Sequence, residues 1–244
     1  MITLSASKIS TYLACPRKFK FRYVWKIQAQ WKAAALAFGS AVHGALETFH
    51  EQRVADLTMS AEATSGLFKI DWAAEQLDDL KFKDDETADD LEVTGADLVR
   101  QYALANQSLE VVAVESSFEL LVAEGIVLRG VFDALLTGDR VRELKTAARN
   151  YDEGTLARHI QLSAYAWAYR EIYDREPVLE VVAMLKLKHP RIAVHEVTRT
   201  EEDLEWFVQL VVEVARAIEA GVYPPNPSWA CADCEYVRAC RGGP

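Results

Sequence analysis

No stretch of this 244-residue chain approaches the ~18 consecutive apolar residues that a membrane span needs, although half of its residues are apolar. The opening MITLSASKIS is polar and lacks the charged-then-apolar order of an export signal, so a cytoplasmic location is expected, with no membrane partner. Cysteine is scarce. The four present, Cys15, Cys231, Cys234 and Cys240, suit metal ligation better than disulfides in such a compartment. Neither an internal repeat nor a low-complexity linker interrupts the chain, and residues 1–244 are expected to form a single domain. Basic charge is short as well: 27 Lys and Arg stand against 37 Asp and Glu, a net −10 that argues against a polyanionic partner. Its distribution weakens that argument. Residues 1–32 hold seven cations (among them Lys18 and Arg22) and no acid, whereas residues 71–97 hold eleven acids against Lys81 and Lys83. A second basic group, Lys186, Lys188, His189 and Arg191, follows later. Local fields, more than the total, steer a charged partner.

What is present reads as helices first and strands later. Residues 5–28 have helical periodicity from an N-cap at Ser5 or Ser7, with a break expected just after Cys15 because Pro16 cannot continue the helix. Residues 33–56 form a second helix whose middle is small, from Ala37 to Ala45, which permits close approach to a neighbour around His43. Two more helices are expected at 60–80 and 86–107. Strand patterns follow at 110–122, 126–136 and 141–147, then a helix at 154–174 and strands at 178–187 and 192–198. A last helix, 200–220, is capped by Thr200 and closed by Gly221, and the Pro- and Cys-rich end has no regular pattern. The order implies an α/β or α+β domain: a catalytic core at 108–220, a helical region at 33–107 inserted before it, and Cys-bearing segments 1–32 and 221–244.

The chemistry concentrates in the strand pair 126–136 and 141–147. Asp133 stands on one strand, and Glu143 and Lys145 share a face of the other with Leu144 turned away. Two carboxylates and an ammonium converging suit a divalent ion that activates water for phosphodiester cleavage. Taken alone, such a trio is more often a solvated hairpin face. The connection discriminates, because a two-residue turn would pair Asp133 with Leu144, while a three-residue loop at 137–139 pairs it with Glu143. His43 is a candidate third ligand. Gln161 and Tyr165, four apart on the following helix, share a stripe with Arg158. At the end, Cys231-x₂-Cys234-x₅-Cys240 with Cys15 makes a full thiolate set; spacing leaves the metal open and favours Zn²⁺ over iron–sulfur.

The order His43 in a GxxxH, Gly130-x-x-Asp133, Glu143-x-Lys145 and Gln161-x-x-x-Tyr165, over nearly the whole chain, resembles the RecB-like branch of the PD-(D/E)XK nucleases. The opening SASKISTYLACPRKFKFRY and the one-plus-three cysteines resemble its iron–sulfur subset, which includes the AddB nuclease domain and CRISPR-associated RecB-like exonucleases. The resemblance implies an α/β restriction-endonuclease-like core, a mixed sheet flanked by helices. It implies one or two Mn²⁺ or Mg²⁺ ions on His43, Asp133, Glu143 and the Leu144 carbonyl, with Lys145 orienting or deprotonating water. It also implies a structural [4Fe–4S] cluster on Cys15, Cys231, Cys234 and Cys240, with Zn²⁺ the less favoured occupant. Gln161 and Tyr165 would support the site or touch DNA, joined by Lys18, Arg22 and Arg158. Ala134 departs from relatives that place a basic residue after the Asp. The implied activity is a DNA exonuclease preferring single-stranded ends, with CRISPR adaptation proteins or a helicase as further partners and a homo-oligomer open to it. A catalytically idle DNA-binding subunit is the competing reading.

Overall fold

The computed structural model describes residues 1–83 and 85–242; Asp84 of the acidic stretch and the last two residues of the segment 221–244 lie outside the described residues. The chain opens with a strand that its three residues could not announce, β1 (Ile2–Leu4), and turns at Ser5 into α1 (Ala6–Ala14). Ser5 caps α1 by accepting from the Lys8 N–H. The break at Cys15 is present: its backbone is extended, and Pro16 starts the one-turn α2 (Pro16–Phe19), which runs on as a π-helical turn over Lys20–Val24. A two-residue strand β2 (Lys32–Ala33) leads into α3 (Ala34–Val54). Then come α4 (Ala61–Glu75), the two-residue β3 (Leu80–Lys81) that pairs with β2, and α5 (Ala88–Ala105).

The strands β4 (Val111–Ala123), β5 (Ile126–Leu136) and β6 (Arg140–Ala147) follow as an antiparallel meander. The expected helix 154–174 is two helices, α6 (Glu153–Ala157) and α7 (Ile160–Tyr173), parted at Arg158 and His159. β7 (Val178–Leu185) returns parallel to β6, β8 (Arg191–Val197) lies antiparallel at the edge, and α8 (Glu201–Glu219) starts in a capping box of Thr200 and Asp203. Gly221, at φ +72°, takes the left-handed turn after it. The end has only a 3-10 turn at Trp229–Cys231 and one turn of helix, α9 (Val237–Cys240).

β5 organises the sheet. β4 pairs with one edge of it along its whole length. Its other edge is shared: β1 runs parallel against Ile126–Leu128, and β6 runs antiparallel against Ala134–Leu136. Residues 129–133 between them have no strand partner on that edge. The sheet separates two cores. On one side α1, α7 and α8 bury Tyr12, Tyr165, Phe207 and Val211 against Phe118, Phe132 and Val141. On the other, α3, α4 and α5 bury Phe38, Phe49, Phe68 and Tyr102 against Leu144, Val182 and Met184. The alternation of Val141 with Leu144, and of Leu179 and Val181 with Val182 and Met184, is the period-two signature of strands buried on both faces. The helical region 33–107 is thus no mere insertion. Its first helix, α3, covers one face of the sheet, with Ala37, Ala41 and Ala45 fully buried.

Candidate active site and cysteine cavity

The hairpin between β5 and β6 has the three-residue connection 137–139, with Gly138 and Asp139 both at positive φ. Its register runs Leu136 to Arg140, Leu135 to Val141 and Ala134 to Arg142, so Asp133 and Glu143 come next on the same course. There the ladder gives way to side chains: Asp133 Oδ2 accepts from the Leu144 N–H at 2.8 Å. The other side of Asp133 is irregular too. Glu115, between the paired residues Val114 and Ser116 of β4, takes φ +45° in mid-strand, a strained conformation for a side-chain-bearing residue.

α7 completes the arrangement. Gln161 Oε1 accepts from Lys145 Nζ at 2.8 Å, while its Nε2 donates to Glu143 Oε2 at 3.0 Å and to the Tyr165 hydroxyl at 2.9 Å. Only one orientation of the amide satisfies both the ammonium and the carboxylate. The Tyr165 hydroxyl donates to the Val131 carbonyl, in the unpaired gap of β5, and Asp133 Oδ1 lies 3.4 Å from it. Lys145 forms an ion pair with Glu143 Oε1, an oxygen that has no well-directed hydrogen bond although Glu143 is only 1% exposed. From α3, His43 Nδ1 comes within 3.7 Å of Asp133 Oδ2. The structure therefore brings together His43, Asp133, Glu143, Leu144, Lys145, Gln161 and Tyr165.

Burial dominates the electrostatics. It pushes Asp133 up to about 6, against the pull of the Leu144 N–H and Lys145. Burial and then the Asp133 charge push Glu143 up to about 7. Burial also lowers His43, so its contact with Asp133 is that of a neutral imidazole. Lys145 is desolvated too, but the Glu143 and Asp133 carboxylates outweigh that and keep its pKa raised, an ammonium. Among the described residues, no three or more His, Cys, Asp or Glu side chains stand gathered as they would around a metal ion. At Asp133 and Glu143 the Leu144 N–H and Gln161 hold one carboxylate oxygen each, and Lys145 lies in ion-pair contact with Glu143 Oε1.

Three expected DNA contacts stand elsewhere. Arg158 is a correction: the chain breaks between α6 and α7, so Arg158 ends α6, exposed and off the Gln161–Tyr165 stripe, with its guanidinium curled toward Gly154. Lys18 pairs with Glu235 at 2.8 Å beside the cysteines, and Arg22 lies over the Tyr23 ring. Sequence reasoning also missed neighbours of the site. Burial raises Glu115, and the Glu47 and Glu143 charges add to it; Glu47 is one turn beyond His43 on α3, a spacing that could have flagged it. Tyr151 is raised by burial and feels both Lys145 and Glu143.

The four cysteines line one cavity of about 300 Å³ where the N- and C-terminal segments meet, together with Lys18, Phe21 and Tyr236. All are free thiols, and burial raises Cys234. Side chains from early in the sequence bond to late backbone around it: Tyr12 to the Val222 carbonyl at 2.7 Å and Arg17 to the Tyr223 carbonyl at 2.9 Å.

A crystal structure from Eubacterium rectale, provisionally described as an exonuclease, is similar over 99% of this chain and 88% of its own, with a TM-score of 0.64. At 14% identity that likeness bears on the fold alone. A second solved structure, SSO0001, overlaps 98% of this chain and 85% of its own at 16% identity, and its TM-score of 0.47 carries no argument. No curated protein matches the sequence. The mixed central sheet flanked by helices fits a restriction-endonuclease-like core, and the model of one family matches residues 3–241: this chain belongs to the PD-(D/E)XK nuclease superfamily.

Proposed function

We propose that this chain is a metal-dependent deoxyribonuclease that hydrolyses phosphodiester bonds from DNA ends, preferring single strands. One observation carries the reading: Asp133, Glu143, Lys145, Gln161 and Tyr165 form one connected constellation at the open gap of β5, with His43 at its side. The donor set fits a hard or borderline divalent cation. Burial raises both carboxylates and the Asp133 charge raises Glu143 further, Glu143 Oε1 has no well-directed donor, and a neutral imidazole adjoins them. His43, Asp133, Glu143 and the Leu144 carbonyl would hold one or two Mn²⁺ or Mg²⁺ ions, and the imidazole favours Mn²⁺. When bound, such an ion supplies Lewis acidity toward the phosphoryl oxygen and lowers the pKa of water.

The chain's own residues do the rest. Lys145, held as an ammonium, donates to the attacking water and offsets charge on the phosphate, which supports an orienting role over a proton-accepting one. Gln161 fixes the Lys145 ammonium and Glu143 in one geometry, and Tyr165 anchors Gln161 to the β5 backbone. The water oxygen forms a bond to phosphorus and gives up a proton to solvent, the bond to the leaving oxygen breaks, and that oxygen takes the electron pair and a proton from solvent. Cys15, Cys231, Cys234 and Cys240 are proposed to hold a [4Fe–4S] cluster, with Zn²⁺ the less favoured occupant; their common cavity supports this. CRISPR adaptation proteins or a helicase as partners, and a homo-oligomer, belong to the same reading through the family resemblance.

The test is cleavage of end-labelled linear and circular DNA, single- and double-stranded, with Mn²⁺, with Mg²⁺ and with chelator. Loss of linear but not circular substrate, dependent on metal and absent in Lys145→Ala and Asp133→Ala, is expected. Cleavage that persists in either folded variant overturns the assignment, and no cleavage by the wild type favours a DNA-binding subunit.

A further inference from the structure

The gap in β5 opens into a cavity of about 400 Å³ that the roles above leave unexplained. Asp133, Gln161 and Tyr165 line it on one side, and Lys8 of α1 and Arg129 of β5 line it as well. Topology puts the two cations there. β1 ends with Leu4 opposite Leu128, so the first turn of α1 lies alongside the start of residues 129–133. Between the charged groups the wall is apolar, formed by Leu4, Phe118, Val131 and Ala164.

Neither cation has a carboxylate partner among the described residues. Lys8 Nζ donates only to the Thr3 carbonyl, at 2.9 Å, and stands 5.8 Å from the Tyr23 ring. Arg129 is exposed, and Glu119, which the strand register places opposite it, makes no ion pair with it. In a chain of net charge −10, two cations in one cavity that form no ion pair, with Asp133 of the same lining bonded to the Leu144 N–H, call for an anion from outside. Burial and then the Arg129 charge lower the Lys8 pKa, a cost that an anion between them would relieve. The volume lies within the range of pockets that enclose small ligands.

We infer that this cavity seats the nucleotide adjoining the scissile phosphate, with Lys8 and Arg129 holding that nucleotide's outer phosphate. The inference rests on the nuclease reading. It assigns the apolar wall to the nucleoside and the cations to the backbone, so contact is made without reading base edges.

The experiment measures binding of a labelled single-stranded oligonucleotide by anisotropy in chelator, where nothing is cut. Lys8→Gln/Arg129→Gln is expected to bind about tenfold more weakly, with the slope of log affinity against log salt reduced by about one. The charge-matched control Lys69→Gln, on α4 and clear of both sites, is expected to keep the wild-type slope. Arg129→Glu, at an exposed position with no partner to lose, is expected to weaken binding further. With metal, the loss in kcat/KM is expected to fall on KM. A nucleoside 5′-monophosphate is expected to displace the oligonucleotide at lower concentration than inorganic phosphate does. Equal potency would overturn the nucleoside half of the inference. Wild-type affinity and salt slope in both variants overturn the whole, and if those variants still cleave with an unchanged KM the nuclease reading survives. If the wild type cuts no DNA yet the variants lose binding, the strand-holding cavity stands and the cleavage reading falls.

Discussion

Glu143 shows at the scale of one residue how a fold sets stability against function. With its pKa raised to about 7, the folded chain keeps a proton that the unfolded chain releases near the ordinary carboxylate value. Its effect on stability is therefore neutral at pH 4 and increasingly unfavourable as pH rises through 7. His43, His50 and His159 oppose this over the same range, because burial lowers their pKa, His50 to about 3 and His159 to about 4, and folding then weakens as pH falls below 6.5. Comparing variants removes that background. In chelator, the melting temperature of Glu143→Gln relative to wild type is expected to rise between pH 5.5 and pH 8, by on the order of 2 kcal/mol or about 5 °C. The same variant is expected to lose the stabilisation that Mn²⁺ gives the wild type. A pH-independent difference would mean that Glu143 is ionised throughout. The residue itself was legible from the ExK spacing beside Asp133. Glu115 was not, because in an alternating strand it reads as one more solvent-facing acid, and its positive φ has no sequence signature.

Between elements, the helical layer and the sheet are joined by apolar packing and by hydrogen bonds from an arginine that is itself held in a buried ion pair within the sheet. Arg142 on β6 donates to Glu180 on β7 through Nε at 2.8 Å and Nη2 at 2.6 Å, and its Nη1 donates to Tyr102 and Asn106 on and after α5. Burial opposes the Glu180 charge, but Arg142 and then Arg140 prevail and lower its pKa. Glu180→Ala would leave Arg142, 6% exposed, without a counterion, and is expected to destabilise the fold by about 3–5 kcal/mol in denaturant titrations. Gly95 of α5 is a second joint: a Cβ there would lie 2.0 Å from Phe68 Cζ on α4. Gly95→Ala is expected to lower stability by about 1–3 kcal/mol, and an unchanged midpoint would mean that α4 and α5 slide apart freely. At this scale the long periodic elements and the 137–139 loop were legible, since the loop length follows from which face each carboxylate must occupy. The break at Arg158–His159 was hidden because apolar periodicity continues across it. β1 was hidden because three residues carry no period at all.

Across the whole molecule, the two ends of the sequence share one cavity. Anaerobically purified protein is expected to be brown, and Cys15→Ser or Cys234→Ser to lose that colour and melt earlier, since the bond between distant segments goes with it. A colourless wild type that retains zinc would replace iron–sulfur with a zinc staple. The sequence made the four cysteines legible but not their setting in one cavity, because no pattern in residues 1–32 says that Tyr12 and Arg17 bond to the backbone of Val222 and Tyr223. The same closure dictates the order of assembly. Tyr12, Phe19 and Phe21 leave the ribosome some two hundred residues before the segment that covers them, and Ile2 waits for Ile126. This apolar surface stays open until residues 222–236 have been made, so the nascent chain is prone to aggregate through its own opening segment in the meantime.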